Sequence, residues 1–336
     1  MMNGKCLIIA EAGVNHNGRL DLALKLCDEA KKVGADVVKF QTWKTENLIT
    51  RDVEQAEYQK NNTGNVETQF EMLKKLELSY NDFKIIKKYC DKIGILFSST
   101  ADEPESLEFL LTLGIPFIKV GSGDIGNVSF LRYIGSKKKP VILSTGMSSL
   151  ADVEISINAL REGGTTDITV LHCTTNYPCP YNEVNLRAMI TLKEAFHLPI
   201  GYSDHTVGRE VAVAAVALGA KIVEKHFTLS SSMQGPDHAA STDPKEFTSL
   251  VNAIRNVEAC LGNGIKAPTS SEKMISEVVT KRIVANKPIV RGELFSEANV
   301  CVKRSGAGVL AKYWDLVIGK TAQKNYLADE GINIFW

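Results

Sequence analysis

Two histidines stand at matching places in neighbouring apolar runs. In IGYSDHT (200–206) and IVEKHFT (222–228) a stretch rich in apolar residues ends in His205 and His226, so each imidazole is expected at the carboxyl end of a strand. The segment between them, VGREVAVAAVALGAK (207–221), has helical character, and parallel neighbours need a crossover of roughly a dozen residues or more. Two parallel strands would then deliver two imidazoles to one mouth. Imidazole is the commonest protein metal ligand, and with Asp204, Glu224 and Asp237 close in sequence the pair suits an open site for a divalent ion. Taken singly, either histidine could equally close a strand by bonding to backbone; the pair favours metal.

A second chemistry comes from two lysines. VVKFQ and FIKVG set Lys39 and Lys119 inside apolar runs, where an unpaired ammonium is costly. A bound phosphate or carboxylate would relieve that cost, and on this argument methionine at either position should leave stability intact. Lys44 and Lys225 read instead as ordinary solvated side chains. A buried lysine could also serve as a Schiff-base nucleophile, which would make the chain a metal-free aldolase working through Lys119.

The elements that must position these residues recur along the chain. CLIIAEAG (6–13), VVKFQT (37–42), ILFSST (95–100), FIKVGS (117–122), VILSTG (141–146), TVLHCT (169–174), IGYSDH (200–205) and IVEKHFT (222–228) are short apolar runs ending in polar residues, as strands buried on both faces do. Segments with helical periodicity lie between them, among them LDLALKLCDEAKKVGA (20–35) and LADVEISINALREGG (150–164). Alternating strand and helix predicts a parallel sheet, and eight repeats predict a closed (β/α)8 TIM barrel. An open doubly wound sheet is the runner-up, but no GxGxxG follows the first strand. In a barrel the strand ends share one pocket. They supply Glu11, Asn15 and His16; Lys39 and Gln41; Ser99 and Thr100; Lys119 and Ser122; Ser144 and Thr145; Thr174 to Tyr177; Ser203 to His205; and Glu224 to His226.

The barrel is expected over 1–265, a linker over 266–280 and a small β-rich domain over 281–336. A polar insertion at about 43–80, containing NNTGN, reads as a loop over the barrel mouth. Lys plus Arg equals Asp plus Glu at 39 each, so nothing in the charge favours nucleic acid or a membrane surface. Seven cysteines at scattered spacings, with no CxxC, read as free thiols of a cytoplasmic protein. No signal peptide or membrane-length apolar run is expected either.

The motifs AEAGVNHNG (10–18), KFQT (39–42), KVGSGD (119–124), LSTGM (143–147), HCTTNYP (172–178), GYSDHT (201–206), EKHFT (224–228), GPDH (235–238) and KRSGAG (303–308) together resemble those of the sialic acid synthases. Members of that family condense phosphoenolpyruvate with an N-acylated mannose-type sugar into a nine-carbon 2-keto acid, and carry an antifreeze-like (SAF) domain at the carboxyl end. The resemblance implies a divalent Mn2+ or Mg2+ ion on His205 and His226. It implies phosphoenolpyruvate on Lys39, Thr100, Lys119, Ser122, Ser144, Asn176 and Ser203, with Glu11, Gln41, Tyr177 and Asp237 facing the sugar and water. It implies a domain-swapped homodimer in which Arg304 of one chain reaches the sugar in the other's barrel. N-acetylneuraminate synthesis is the first expectation, and a legionaminate-type synthase using 2,4-diacetamido-2,4,6-trideoxymannose is the alternative. Three places depart from the family pattern: Asp124 where Glu is usual, Ala101–Asp102 in place of Pro-Phe, and Ser305 and Ala307 in place of Pro and Asn. The first two bear on which sugar is taken.

Overall fold

The computed structural model describes residues 5–55, 60 and 67–334. Eight parallel strands close into a barrel in chain order: β1 (Leu7–Gly13), β2 (Val37–Thr42), β3 (Leu96–Ala101), β4 (Ile118–Val120), β5 (Val141–Ser144), β6 (Ile168–Cys173), β7 (Ile200–Asp204) and β8 (Ile222–His226), with β8 paired back to β1. The predicted TIM barrel is thus the fold, and the open sheet is excluded. A helix follows each strand and packs on its outer face, so nearly every strand residue is buried. Helix starts are written locally. Ser79 and Ser149 cap Tyr80–Ile93 and Leu150–Gly163, with Asp82 and Asp152 reaching back to the cap backbone, as capping boxes do.

Side chains alternate between the two faces of a strand, and that period decides what meets inside. Leu7, Ile9, Val37, Phe117, Ile142, Leu171 and Ile222 form an apolar floor within the barrel. Two residues beyond six of them come Glu11, Lys39, Lys119, Ser144, Cys173 and Glu224, so a polar layer lies on top of the floor. Gly201 shares the floor because only glycine fits: a Cβ there would lie 2.5 Å from both the Ile222 carbonyl oxygen and the Leu171 side chain. The larger apolar core lies outside, between strands and helices.

The insertion after β2 is not simply a loop. It holds helices Thr45–Leu48 and Gln69–Leu76, because Trp43, Met72 and Leu76 find an apolar partner in Val14. The NNTGN segment lies outside the described residues.

Chain contacts divide the molecule into Met1–Gly262 and Asn263–Trp336. In the second unit the segment read as a linker contains helix Ser270–Val279, capped by Thr269 and Glu272 and without a buried residue. Its apolar residues Met274, Ile275, Val278 and Val279 recur at helical spacing but are exposed, and they follow the polar stretch 263–273 on which the linker reading rested. Beyond it, antiparallel β9 (Lys281–Ala285) and β10 (Val300–Arg304) pair around a small core of Ile283, Phe295, Val300, Tyr326 and Ile332.

Candidate active site

At the carboxyl end of the barrel, the polar layer opens into a cavity of about 210 Å3. Its lining includes Glu11, Lys39, Gln41, Thr100, Lys119, Ser122, Ser144, Tyr177, Ser203, His205 and His226 from the sequence-derived set. Buried charges dominate its base. Lys39 makes a short contact with the Glu11 carboxylate, lies 3.8 Å from Glu224 and donates to Thr100 Oγ1 at 3.0 Å. Lys119 lies 3.5 Å from Glu224 and donates to Ser144 Oγ at 2.8 Å and the Val120 carbonyl at 3.2 Å. Ser203 donates to Glu224 at 3.3 Å. Two ammonium groups and two carboxylates therefore form one alternating set.

The environment splits these groups. Burial pulls Lys119 below its ordinary range, with Lys39 adding to the effect. For Lys39 burial acts the same way, but Glu11 and Glu224 outweigh it and hold the ammonium protonated. Burial pushes Glu11 up against the pull of Lys39, whereas for Glu224 the pull of Lys119 and Lys39 exceeds the effect of burial and drives it down. The expectation of lysines left unpaired until an anion arrives is corrected here. Methionine at Lys39 would leave Glu11 and Glu224 facing one ammonium, so stability should fall and not hold.

His205 and His226 meet as expected, with ring centroids 5.4 Å apart and Tyr177 against both, at 4.1 and 5.3 Å. His205 Nδ1 lies 2.7 Å from the Thr174 carbonyl. A carbonyl can only accept, so Nδ1 carries a proton and Nε2 is the nitrogen left to face a ligand. Burial, then the neighbouring His205, hold buried His226 well below its usual pKa, and its Nδ1 has no hydrogen-bond partner among the described residues. Two adjoining imidazoles, that of His226 held neutral with an orphaned nitrogen, fit a divalent ion, whereas the Cys173 and Thr174 contacts raise the pKa of His205 against burial, so a metal there would have to displace a proton. No group of three His, Cys, Asp or Glu converges for one among the described residues, so water or substrate would complete the coordination, as in catalytic sites.

Other expected residues fall elsewhere. Asn15 and His16 do not line the cavity: Asn15 donates to the Phe227 carbonyl and Ser241 Oγ, both at 2.9 Å, and His16 Nδ1 accepts from Gly18. With the bond between Asn17 and His238 at 3.2 Å they lock the VNHNG turn to the GPDH loop. That loop carries Asp237, which feels the charge of His205 and is pushed by burial to about 6. Asn176 lines a neighbouring cavity of about 880 Å3. Asp124 closes a 3-10 turn and accepts from Asn127 at 3.0 Å. Arg304 is exposed at the end of β10 in the second unit.

Glu224, expected among the strand-end residues, lies at the base of the cavity; Asp102, singled out only as a departure from the family pattern, and Cys173, not named as a site residue, line it as well. Parity would have found Cys173, two beyond the floor residue Leu171. Lys225 is a further correction. It is buried, donates to Asp204 Oδ2 and to the Thr206 carbonyl, each at 2.6 Å, and Asp204 Oδ1 accepts from the Thr206 amide and hydroxyl. Asp204 and Lys225 are register partners immediately before the two histidines, so this outward pair ties the β7 and β8 ends together. Lys44 is not free either, lying 3.1 Å from Glu77 and 4.3 Å from the Tyr80 ring centre.

Residues 26–266 match the NeuB family and residues 280–333 the SAF domain. The chain belongs to the NeuB family. It is 47% identical to the N,N'-diacetyllegionaminic acid synthase of Campylobacter jejuni, over 97% of this chain and 98% of that one. The N,N'-diacetyllegionaminic acid synthase of Legionella pneumophila is 44% identical over 98% and 94%. Among solved structures, the N-acetylneuraminic acid (sialic acid) synthetase of Leptospira borgpetersenii, crystallised with citrate, superposes with a TM-score of 0.72 at 34% identity, over 81% of this chain and 90% of that one. The resemblance read from the motifs holds at the level of the nonulosonate synthase family. Among no described residues is there a helix long and apolar enough to cross a membrane.

Removing one partner of a buried ion pair leaves the other charge uncompensated, so Lys225→Met should cost about 3–5 kcal/mol. Thermal unfolding should show this as a drop on the order of 10 °C. A midpoint unchanged within about 2 °C would mean that Lys225 is solvated and that the strand ends do not depend on it.

Proposed function

We propose that this NeuB-family chain condenses phosphoenolpyruvate with a 2,4-diacetamido-2,4,6-trideoxymannose-type sugar, giving a legionaminic-type acid and phosphate. What carries this reading is the near full-length identity of 47% to a relative named for that product, against 34% to the sialic acid synthetase structure. It displaces N-acetylneuraminate synthesis as the first expectation.

The cavity supports the chemistry. Lys39 and Lys119, with Thr100, Ser122, Ser144 and Ser203, offer donors to a trianion of phosphate and carboxylate. Charge on the enolpyruvate would take over contacts now made by Glu11 and Glu224. C3 of the enol then bonds to the aldehyde carbon of the open sugar, water adds at C2, and the C2–O bond breaks to release phosphate. Glu11 or Asp237, both lifted by burial, would accept the proton that the water loses. Gln41 and Tyr177 would orient the sugar above this floor. An Mn2+ or Mg2+ ion on His205 and His226 would, when bound, supply Lewis acidity toward the aldehyde oxygen. The described cysteines are all free thiols, which suits the cytoplasm.

We also propose that the protein works as a domain-swapped homodimer and that Arg304 serves a partner's barrel, donating in fixed geometry to an acyl carbonyl.

Phosphate release with each sugar, with and without a chelator, tests the reading. The diacetamido sugar should exceed N-acetylmannosamine in kcat/KM by about 10-fold or more, and chelation should stop turnover until metal is restored. A preference for N-acetylmannosamine would overturn the sugar assignment. Full turnover in chelator, with borohydride trapping Lys119, would move the chain to the aldolase class.

Mixing inactive His226→Ala and Arg304→Ala chains tests the partner assignment. Random exchange makes about half the dimers mixed, each with one intact site, so roughly a quarter of parental activity should return. Demonstrated exchange without recovery would exclude Arg304 from the partner's site.

A further inference from the structure

Asp102 follows the last residue of β3, and its amide donates to the Thr42 carbonyl at 3.2 Å. It shares strand parity with Ser98 and Thr100 and lines the same cavity as Lys39 and Lys119. The side chain is half-buried, and among the described residues its carboxylate has no hydrogen-bond or ion-pair partner. The charged groups that act on it are Asp124, Lys39, Glu103 and Lys119. Lys39 is committed to Glu11 and Thr100, and Lys119 to Ser144 and Glu224. A carboxylate left without a donor in a cavity is poised to accept from a ligand.

The two substrates differ in what they can give it. Fully ionised phosphoenolpyruvate has acceptors only and would be repelled by Asp102. An acylated amino sugar is neutral and brings N–H and O–H donors. The cavity is therefore divided, with donors of Lys39, Lys119, Ser144 and Ser203 at the base and the acceptor of Asp102 one pleat nearer the mouth.

We propose that Asp102 is a specificity residue that accepts a hydrogen bond from an N–H or O–H of the acylated sugar and makes no attractive contact with phosphoenolpyruvate. This rests on the synthase reading above. Burial, then the proximity of Asp124, push the Asp102 carboxyl up to about 7, which agrees with an acceptor that lacks a donor until the sugar arrives.

The test compares the parent, Asp102→Asn and Asp102→Phe by steady-state kinetics, after the parent's preferred sugar has been fixed. A parent that prefers N-acetylmannosamine overturns the substrate reading and leaves the Asp102 test to run on that sugar. With the preferred sugar, kcat/KM should fall by about 10- to 100-fold in both variants, the strength of a hydrogen bond to a charged group. Calorimetry should find phosphoenolpyruvate bound as tightly as by the parent or more tightly, since a repelling charge is gone. Unchanged sugar kinetics would overturn the assignment. So would weakened phosphoenolpyruvate binding with the sugar parameters intact, which would place Asp102 at the anion.

Discussion

Four charges enclosed in a barrel have to balance, and the arrangement of Glu11, Lys39, Glu224 and Lys119 depends on that constraint. An ammonium or carboxylate taken from water without a partner is strongly destabilising. Each of these four is buried and each has an opposite charge within 4.0 Å. The set also keeps the cavity ready: the lysines are held extended from β2 and β4 before any ligand is present. An anion entering here exchanges one carboxylate partner for another, so preorganisation lowers the cost of binding.

The rest of the barrel secures that layer from below and from outside. The apolar floor, closed by Gly201 against Ile222 and Leu171, fixes the height at which the polar layer begins. Outside, Lys225 and Asp204 join the two strands that carry the histidines, and the bonds of Asn15, Asn17 and His238 lock the loop that carries Asp237. The residues that would touch substrate therefore sit on strand ends whose positions are set twice over.

Much of this was legible because a buried parallel strand leaves a plain trace. Eight apolar runs ending in polar residues predicted eight strands within a residue or two. Parity then accounts for why Glu11, Lys39, Lys119 and His226 share a pocket. What the runs could not show is which polar residues beyond a strand turn outward. Asn15 and His16 lie past the bulge at Glu11–Gly13, where alternation no longer applies, and both became scaffold. Lys225 was misread because a lysine between two inward residues faces the helix layer, where only a partner from the next strand, Asp204, makes burial tolerable. The linker helix escaped notice for a different reason: its apolar residues, Met274, Ile275, Val278 and Val279, come only after the polar start of the segment, and all are exposed.

The account stands on the two lysines being the anion receptor. Calorimetric titration of phosphoenolpyruvate into folded Lys119→Met protein and into the parent addresses this most directly. Loss of a charge-assisted contact at the base of the cavity should weaken binding by about 10- to 100-fold. Binding by Lys119→Met as tight as by the parent would contradict it.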